Sequence, residues 1–232
     1  MLTLANENLG PERLVGGEVG VSVAPTRDVT FRLTWFNNHV TNPVSNVTLT
    51  TAGANVTQQR QNLGETRIKG LQGDVEYRVG SSLRVSAGYL YNDAKVIDGG
   101  ATNASLEGKF LPQVPKHRGS VRAAYVNPKY ALVAFSVQFF GRQFDDDQNT
   151  RLVPAPALAD AGYSASTAPG LPGYAFADLL VSRTINRNLE AFIGLQNLFD
   201  QTYFVGTLPT TIGSPRLVNG GVRIRFAGRS NP

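Results

Sequence analysis

The chain has 232 residues, 41% of them hydrophobic, and 22 Lys+Arg against 17 Asp+Glu give it a formal charge of +5. The basic surplus is scattered, without a Lys/Arg run or a basic helix face, which argues against a nucleic-acid partner, and no stretch approaches the roughly 18 consecutive apolar residues of a transmembrane helix. Cys 0 removes disulfides and thiolate metal sites, while Gly 24 and Pro 13 suit turns and strands better than helices.

The predicted elements are strands. After a polar turn at Asn8–Arg13, Val15, Gly17, Val19, Val21 and Val23 alternate with Gly16, Glu18, Gly20 and Ser22, the period-2 signal of a two-faced strand. Pro25–Asp28 turns the chain, and Val29, Phe31, Leu33 and Trp35 then oppose Thr30, Arg32, Thr34 and Phe36. A Thr/Asn/Gly-rich connection from Thr41 to about Gln59 reads as a loop. A third strand, Arg60–Val79, sets Leu71, Val75 and Tyr77 against Gln72, Asp74, Glu76 and Arg78, and Gly80–Ser82 turns it. The fourth strand places Leu83, Val85, Ala87, Tyr89 and Tyr91 opposite Arg84, Ser86, Gly88, Leu90 and Asn92.

A loop from about Ala94 to Lys116 leads to a fifth strand, with Val121, Ala123 and Tyr125 facing away from Ser120, Arg122 and Ala124. Asn127-Pro128-Lys129 is a tight turn. The sixth strand sets Ala131, Val133, Phe135, Val137 and Phe139 against Ser136, Gln138 and Arg142, and the longest loop, about Gln143–Gly173, follows. In the seventh, Tyr174–Thr184, Ala175, Ala177, Leu179 and Val181 oppose Asp178 and Ser182. Asn186–Asn188 turns into the eighth, where Leu189, Ala191, Ile193 and Leu195 alternate with Glu190, Phe192, Gly194 and Gln196. The last strand turns Val218, Gly220, Val222, Ile224 and Phe226 one way and Leu217, Asn219, Gly221, Arg223 and Arg225 the other.

Short turns thus lie at one end and long loops at the other, as in transmembrane barrels with short periplasmic turns and long outer loops. A soluble meander or sandwich also alternates its faces, but has no reason to gather its long loops at one end. The fold class expected is therefore all-β, an antiparallel up-and-down transmembrane β-barrel. About nine strands leave two open edges, and bacterial barrels have an even strand number, so the chain reads as an arc of a larger, 22-stranded type of barrel. Met1–Asn8 has neither a basic n-region nor an apolar h-region; an outer-membrane reading then requires the chain to be part of something longer.

Five segments resemble one family. Asn8-Leu9-Gly10-Pro11-Glu12-Arg13 with Glu18-Val19-Gly20 is similar to the "N-x-x-L-x-P-E … E-x-G" segment of TonB-dependent outer-membrane receptors. Asn62-Leu63-Gly64 with Ile68–Gln72, including Gly70, resembles their "N-x-G … x-x-G-x-E" strand, with Gln72 where Glu is usual. Leu111–His117, carrying Pro115 and His117, resembles "P-x-x-P-x-H". Asn197-Leu198-Phe199-Asp200-Gln201-Thr202-Tyr203 is similar to "N-L-F-D-x-x-Y", and Gly213-Ser214-Pro215-Arg216 to "G-x-P-R". The family usually ends on a terminal Phe; here Ala227–Pro232 follow Phe226.

The resemblance implies that residues 1–232 are a partial barrel domain without its plug. It also implies active uptake of a scarce nutrient, most simply an iron–siderophore or similar chelate, in the outer membrane. The partners implied are outer-membrane lipid, the TonB complex acting through the missing plug and box, and the chelate; no cofactor is implied. A passive pore or adhesin barrel without TonB coupling is the other reading, and upstream plug-encoding sequence would separate the two.

Arg32, Arg84, Arg122 and Arg142 are candidates for a lumen lining that attracts anionic chelates, or for ion pairing with Asp74, Glu76, Asp178 and Glu190 across the inner wall or with the absent plug. Asp145-Asp146-Asp147 is either a cation site or a solvated acidic loop. Tyr89, Tyr91, Tyr125, Phe139 and Phe226 are placed for an interfacial girdle. Phe144, Tyr163, Tyr174, Tyr203 and Phe204 either stack on a ligand or anchor loops. His39 and His117 lack zinc-site spacing. No nucleophile–base pair, phosphate-cradling loop or paired carboxylate motif is present, so no enzyme is expected.

Overall fold

The structure, a computed structural model, describes residues 1–53, 55–127, 129–164 and 168–226. Pro128 of the expected turn and the tail 227–232 lie outside the described residues. In chain order the strands are β1 (Leu2–Leu4), β2 (Arg13–Thr26), β3 (Val29–Thr41), β4 (Val44–Ala52), β5 (Asn55–Asn62), β6 (Glu65–Val79) and β7 (Leu83–Asp98). Then follow β8 (His117–Asn127), β9 (Ala131–Phe140), a six-residue helix α1 (Ala155–Asp160), β10 (Tyr174–Asn186), β11 (Leu189–Gln196), β12 (Phe204–Thr207), β13 (Thr210–Ile212) and β14 (Leu217–Ile224).

Nine strands form one sheet in the order β14-β11-β10-β9-β8-β7-β6-β3-β2, every pairing antiparallel. The register makes each face continuous. One row runs Val21, Leu33, Gly73, Tyr89, Gly119, Phe139, Ala175, and the next runs Val23, Phe31, Val75, Ala87, Val121, Val137, Ala177. Arg32, Asp74, Gly88, Ser120 and Gln138 share a row on the opposite face. The two faces sorted by alternation in the sequence are therefore the two faces of the sheet.

Two features identify the sheet as a barrel wall. β6 and β7 reach 15 and 16 residues, against the five or six usual in soluble sheets and enough to cross a bilayer at a tilt. The register also climbs: Arg78 and Val79 run past the Val29–Tyr77 pair, and Arg183 to Asn186 run past the Ser182–Leu132 pair. That progressive stagger is the shear that tilts strands in a barrel. β2 and β14 each pair on one side only, so the wall is an open arc.

Burial is inverted relative to a water-soluble protein. Val19 is 71% exposed, Trp35 48% and Val121 47%, all on one face, an apolar area far beyond what a soluble surface carries. The two compact cores lie in the loop layer: Val47, Leu63, Val96 and Leu106 beneath Leu111, and Val153, Leu158, Leu171 and Phe204 beneath Tyr163. No helix among the described residues is long and apolar enough to cross a membrane; the crossing elements are strands.

The loop layer departs from the sequence expectation. Thr41–Gln59 is mostly a hairpin, β4–β5, with β1 paired parallel to β5. The third strand expected from Arg60 to Val79 is interrupted at Leu63-Gly64, where Leu63 N–H bonds Pro43 O (2.9 Å) and Asn42 N–H bonds Gly64 O (3.0 Å) to close the hairpin base. β7 continues to Asp98, beyond the expected end near Asn92. A further small hairpin, β12–β13, follows β11. These pieces carry few apolar residues and bury polar ones such as Gln58 and Thr207 through hydrogen bonds, so they show no half-apolar alternation, although Val and Thr favour the extended backbone.

Candidate functional site

The long-loop end of the sheet is the candidate site, and the segment 145–149 organises it. Asp145 accepts hydrogen bonds from the backbone N–H (2.6 Å) and hydroxyl (2.8 Å) of Thr207 in β12. Asp147 takes the N–H (2.8 Å) and hydroxyl (2.6 Å) of Thr48 in β4. Asp146, between them, is 2% exposed and closes its own loop through Thr150 N–H (3.0 Å) and Arg151 N–H (3.3 Å). Asn149 accepts Phe110 N–H (2.6 Å) and donates to Phe110 O (3.0 Å). Consecutive carboxylates thus point to three different segments. The triplet is neither a solvated loop nor a cation cluster, since its oxygens are already taken by N–H and O–H donors, which hold a carboxylate without a metal. Among the described residues no group of three or more His, Cys, Asp or Glu side chains is set to hold a metal ion.

A cavity of about 580 Å³ lies beside these staples, bordered by Asn46, Gln58, Leu111, Val114, Asp147 and Arg151. On the polar face of the sheet, Tyr174 stacks on Tyr203 with ring centroids 4.4 Å apart and on Phe140 at 5.0 Å, while Phe176 meets Tyr203 at 5.6 Å. Arg118 is the register partner of Phe140, and Arg142 donates to Pro169 O at 2.8 Å. Phe204, 1% exposed, and Tyr163 belong to the loop core, where burial raises the Tyr163 phenol above its ordinary pKa. Of the five loop aromatics weighed in the sequence, these two are anchors. Phe144 stacks on Phe110 (5.8 Å), and Tyr174 and Tyr203 form a half-buried ladder.

The family-motif residues do structural work where their contacts are resolved. Glu12 accepts the N–H of Val44, and Asn62 clamps the preceding segment by accepting Gly10 N–H and donating to Gly10 O and Asn42 O. Pro11 lies in that clamped segment, and Glu18 stands opposite Phe36 on the polar face. At Gly70 a Cβ would sit 2.1 Å from Tyr91 O and 2.6 Å from the Phe36 ring, so only glycine fits. His117 Nδ1 meets the Tyr89 hydroxyl at 2.6 Å at the start of β8, and Pro115 leads into it.

Asn197, at φ 49°, accepts Gln201 N–H and donates to Gln201 O and Ser214 O, while its own N–H goes to Asp178. Asp200 accepts Arg216 N–H at 2.8 Å and pairs with the Arg216 guanidinium at 3.6 Å. That knot fixes where β14 returns beside β11, after Pro215. Phe199 and Phe226 are 73% and 89% exposed.

The charged candidates divide. Arg32 lies opposite Asp74, Arg84 opposite Arg78, and Arg122 opposite Ser86, all on the polar face. Arg142 is beyond the end of β9, in the loop base. Asp178 is engaged by Asn197, and Glu190 pairs with Arg223 (3.2 Å) and Arg225 (3.0 Å). Among the described residues none of the four candidate arginines forms an ion pair with Asp74, Glu76, Asp178 or Glu190. The pair that does form, Glu190 with Arg223, is one that alternation alone places on one face of adjacent strands.

A staggered antiparallel wall, lipid-compatible on one face and polar on the other, with tied long loops at one end, defines a transmembrane β-barrel. The chain belongs to the TonB-dependent receptor-like β-barrel family, whose model matches residues 2–198. It is 24% identical over 152 residues to the probable TonB-dependent siderophore receptor PiuA of Acinetobacter baumannii, covering 62% of this chain. It is 30% identical over 134 residues to the ferrioxamine receptor of Yersinia enterocolitica, covering 55%. The chain spans 18% of the length of each. The crystal structure of the ferric citrate transporter FecA in unliganded form superposes with a TM-score of 0.69 and 24% identity over 92% of this chain and 31% of that one. The siderophore receptor PiuA superposes with a TM-score of 0.67 and 17% identity over 92% and 28%. The family is one of receptors.

Proposed function

We propose that the chain is the C-terminal barrel portion of an outer-membrane receptor that takes up an iron–siderophore or similar metal chelate, driven by TonB. The observation that carries this reading is the family match along residues 2–198. Relatives named for siderophore, ferrioxamine and metal-pseudopaline reception support the ligand class. In this reading the nine strands are part of a wall whose remaining strands and plug are not among the 232 residues. The apolar face meets lipid, and Arg32, Arg84 and Arg122 line the lumen beside the plug.

The loop platform suits such a role because binding loops need a rigid base. Asp145, Asp147 and Asn149 hold three loop segments together, leaving the Tyr174–Tyr203 ladder and the cavity bordered by Asp145 and Asp147 as preformed surface. The polar face of the wall below gives a bound chelate a way into the lumen.

The test is uptake of radiolabelled iron presented with a panel of chelators, in a host deleted for its own receptors and expressing the complete gene, with and without TonB. Uptake of at least one chelate that vanishes without TonB supports the reading. Uptake that is insensitive to TonB returns the protein to the passive-barrel class.

A further inference from the structure

The polar face of the wall gathers arginine near the short-turn end. Arg78 and Arg84 are register partners across the β6–β7 ladder, each one residue in from the strand end at the Gly80–Ser82 turn. Directly opposed side chains stand about 5 Å apart at Cβ, and like charges so placed destabilise a sheet. Arg122 lies one level higher on β8, opposite Ser86, while Arg84 is opposite Ala124. Arg122 and Arg84 are therefore diagonal neighbours, about 7–8 Å apart.

The chain does not neutralise this cluster. Among the described residues none of the three guanidinium groups makes an ion pair or a side-chain hydrogen bond, and all three are exposed. Asp178 shares Arg122's level two strands away, but it accepts Asn197 N–H at 3.0 Å. Glu190 holds Arg223 and Arg225. From that level to the short turns, the polar-face positions of β6, β7 and β8 carry three arginines and one carboxylate, Glu76.

A hollow adjoins the cluster. Arg122 borders a cavity of about 300 Å³ together with Ser136, Gln196 and Asn219. Gly194 leaves Asn219 its place there, since a Cβ would stand 2.6 Å from Asn219 Oδ1. On β10 the same face carries Tyr174 and Phe176 immediately above Asp178, so the aromatic ladder leads down to the arginines.

We propose that Arg78, Arg84 and Arg122 form a release site on the lumen wall for a net-anionic chelate that carries free carboxylates. The inference rests on the receptor reading above, and adds to it the charge of the ligand and a second place where the ligand is held. The planar guanidinium fork matches a carboxylate bidentately. An anion lying between Arg78 and Arg84 relieves a repulsion that the empty wall carries. Inside a narrow lumen with low-dielectric walls the potential of clustered cations is focused on the passing ligand. Exposed, hydrated guanidinium groups hold it weakly enough to let it go, as passage through a pore requires.

The first test uses the complete receptor purified in detergent, with tricarballylate as a metal-free tricarboxylate and sodium chloride at equal ionic strength as reference. Tricarballylate should raise the urea midpoint of the unaltered protein. R78Q/R84Q should bind it about tenfold more weakly, and in chloride should be as stable as the unaltered protein or more so, because the opposed charges are gone. R78K/R84K keeps the charge and should retain part of the effect. R183Q, on the outward face of β10 at the same end, should behave as the unaltered protein.

Absence of a tricarballylate effect would overturn the proposal. So would a lower midpoint of R78Q/R84Q in chloride, which would mean that acidic side chains of the plug occupy the arginines. Inorganic phosphate matching the tricarboxylate would mean a site for free anions and would also overturn it. In cells, R78Q/R84Q should slow TonB-driven uptake of a carboxylate-bearing ferric chelate at least about fivefold, without weakening its binding to energy-depleted cells. Equal uptake rates, or a receptor that accepts neutral chelates alone, would count against the release site. Uptake by the unaltered protein that ignores TonB would instead count against the receptor reading, so the two failures are distinguishable.

Discussion

The carboxylate of Asp147 holds both the backbone N–H and the hydroxyl of Thr48, a residue 99 positions away in the chain. Asp145 repeats the arrangement on Thr207. The two staples fasten hairpins from opposite parts of the arc to one loop. Asp147 is 5% exposed, and hydrogen bonds from buried donors to a charged acceptor contribute about 1.5–3 kcal/mol each.

Asp147→Ala should therefore free the β4–β5 hairpin while leaving the sheet intact. Loss of about 2 kcal/mol corresponds to roughly thirtyfold faster amide exchange at Thr48. Exchange rates in β8 and β9 should stay within about twofold. A double-mutant cycle with Thr48→Val should show that the two changes are strongly non-additive; additive effects would mean the staple carries no coupling.

Gly70 and Gly73 lie on the same strand and make opposite demands. A Cβ at Gly70 would strike Tyr91 O at 2.1 Å, whereas one at Gly73 would meet Leu33 Cδ1 at an ordinary 3.7 Å. Gly70→Ala should destabilise the barrel by about 3 kcal/mol through overpacking against backbone that cannot give way. Gly73→Ala should be neutral or stabilise by up to about 1 kcal/mol through the unfolded chain. Urea unfolding of the complete barrel in detergent measures both, and equal midpoints would refute the stated geometry.

Asn197 combines a left-handed backbone with three side-chain hydrogen bonds, at 4% exposure. Asn197→Gly keeps the backbone freedom and loses the bonds; Asn197→Ala loses both. The alanine variant should be the less stable by about 1 kcal/mol. Both should loosen the start of β14, which shows as raised proteolysis after Tyr203. If Asn197→Gly matches the unaltered protein, the side-chain bonds contribute nothing.

The wall was legible in the sequence because each strand has lipid on one side and water on the other, which writes alternation into residues such as Val29 to Trp35. The β4–β5 hairpin was not legible, because its covered positions include polar residues such as Thr48 and Gln58, held by hydrogen bonds, and so give no apolar period. The role of Asp145 to Asp147 depends on partners 62 and 99 residues distant, beyond any local spacing rule. The arginine pairs expected on the polar face depended on side-chain reach as well as on face: Glu190 meets Arg223 directly across the β11–β14 ladder, while Arg122 faces serines.

Ser120 and Val121 are adjacent in β8 and point to opposite faces, so a lysine at each position reports which face meets lipid. Val121 is 47% exposed in the middle of the apolar band, between Ala87 and Val137. Val121→Lys should destabilise the inserted barrel by about 2–4 kcal/mol, the cost of a cation near the bilayer midplane. Ser120→Lys, beside Gly88 and Gln138 on the polar face, should cost less than about 1 kcal/mol. Refolding into phosphatidylcholine vesicles across a guanidinium titration, read by tryptophan fluorescence of Trp35, gives both values. The wall must be inside out if Ser120→Lys proves the more damaging, and a water-soluble sheet would leave Val121→Lys unaffected, because there both lysines would remain hydrated.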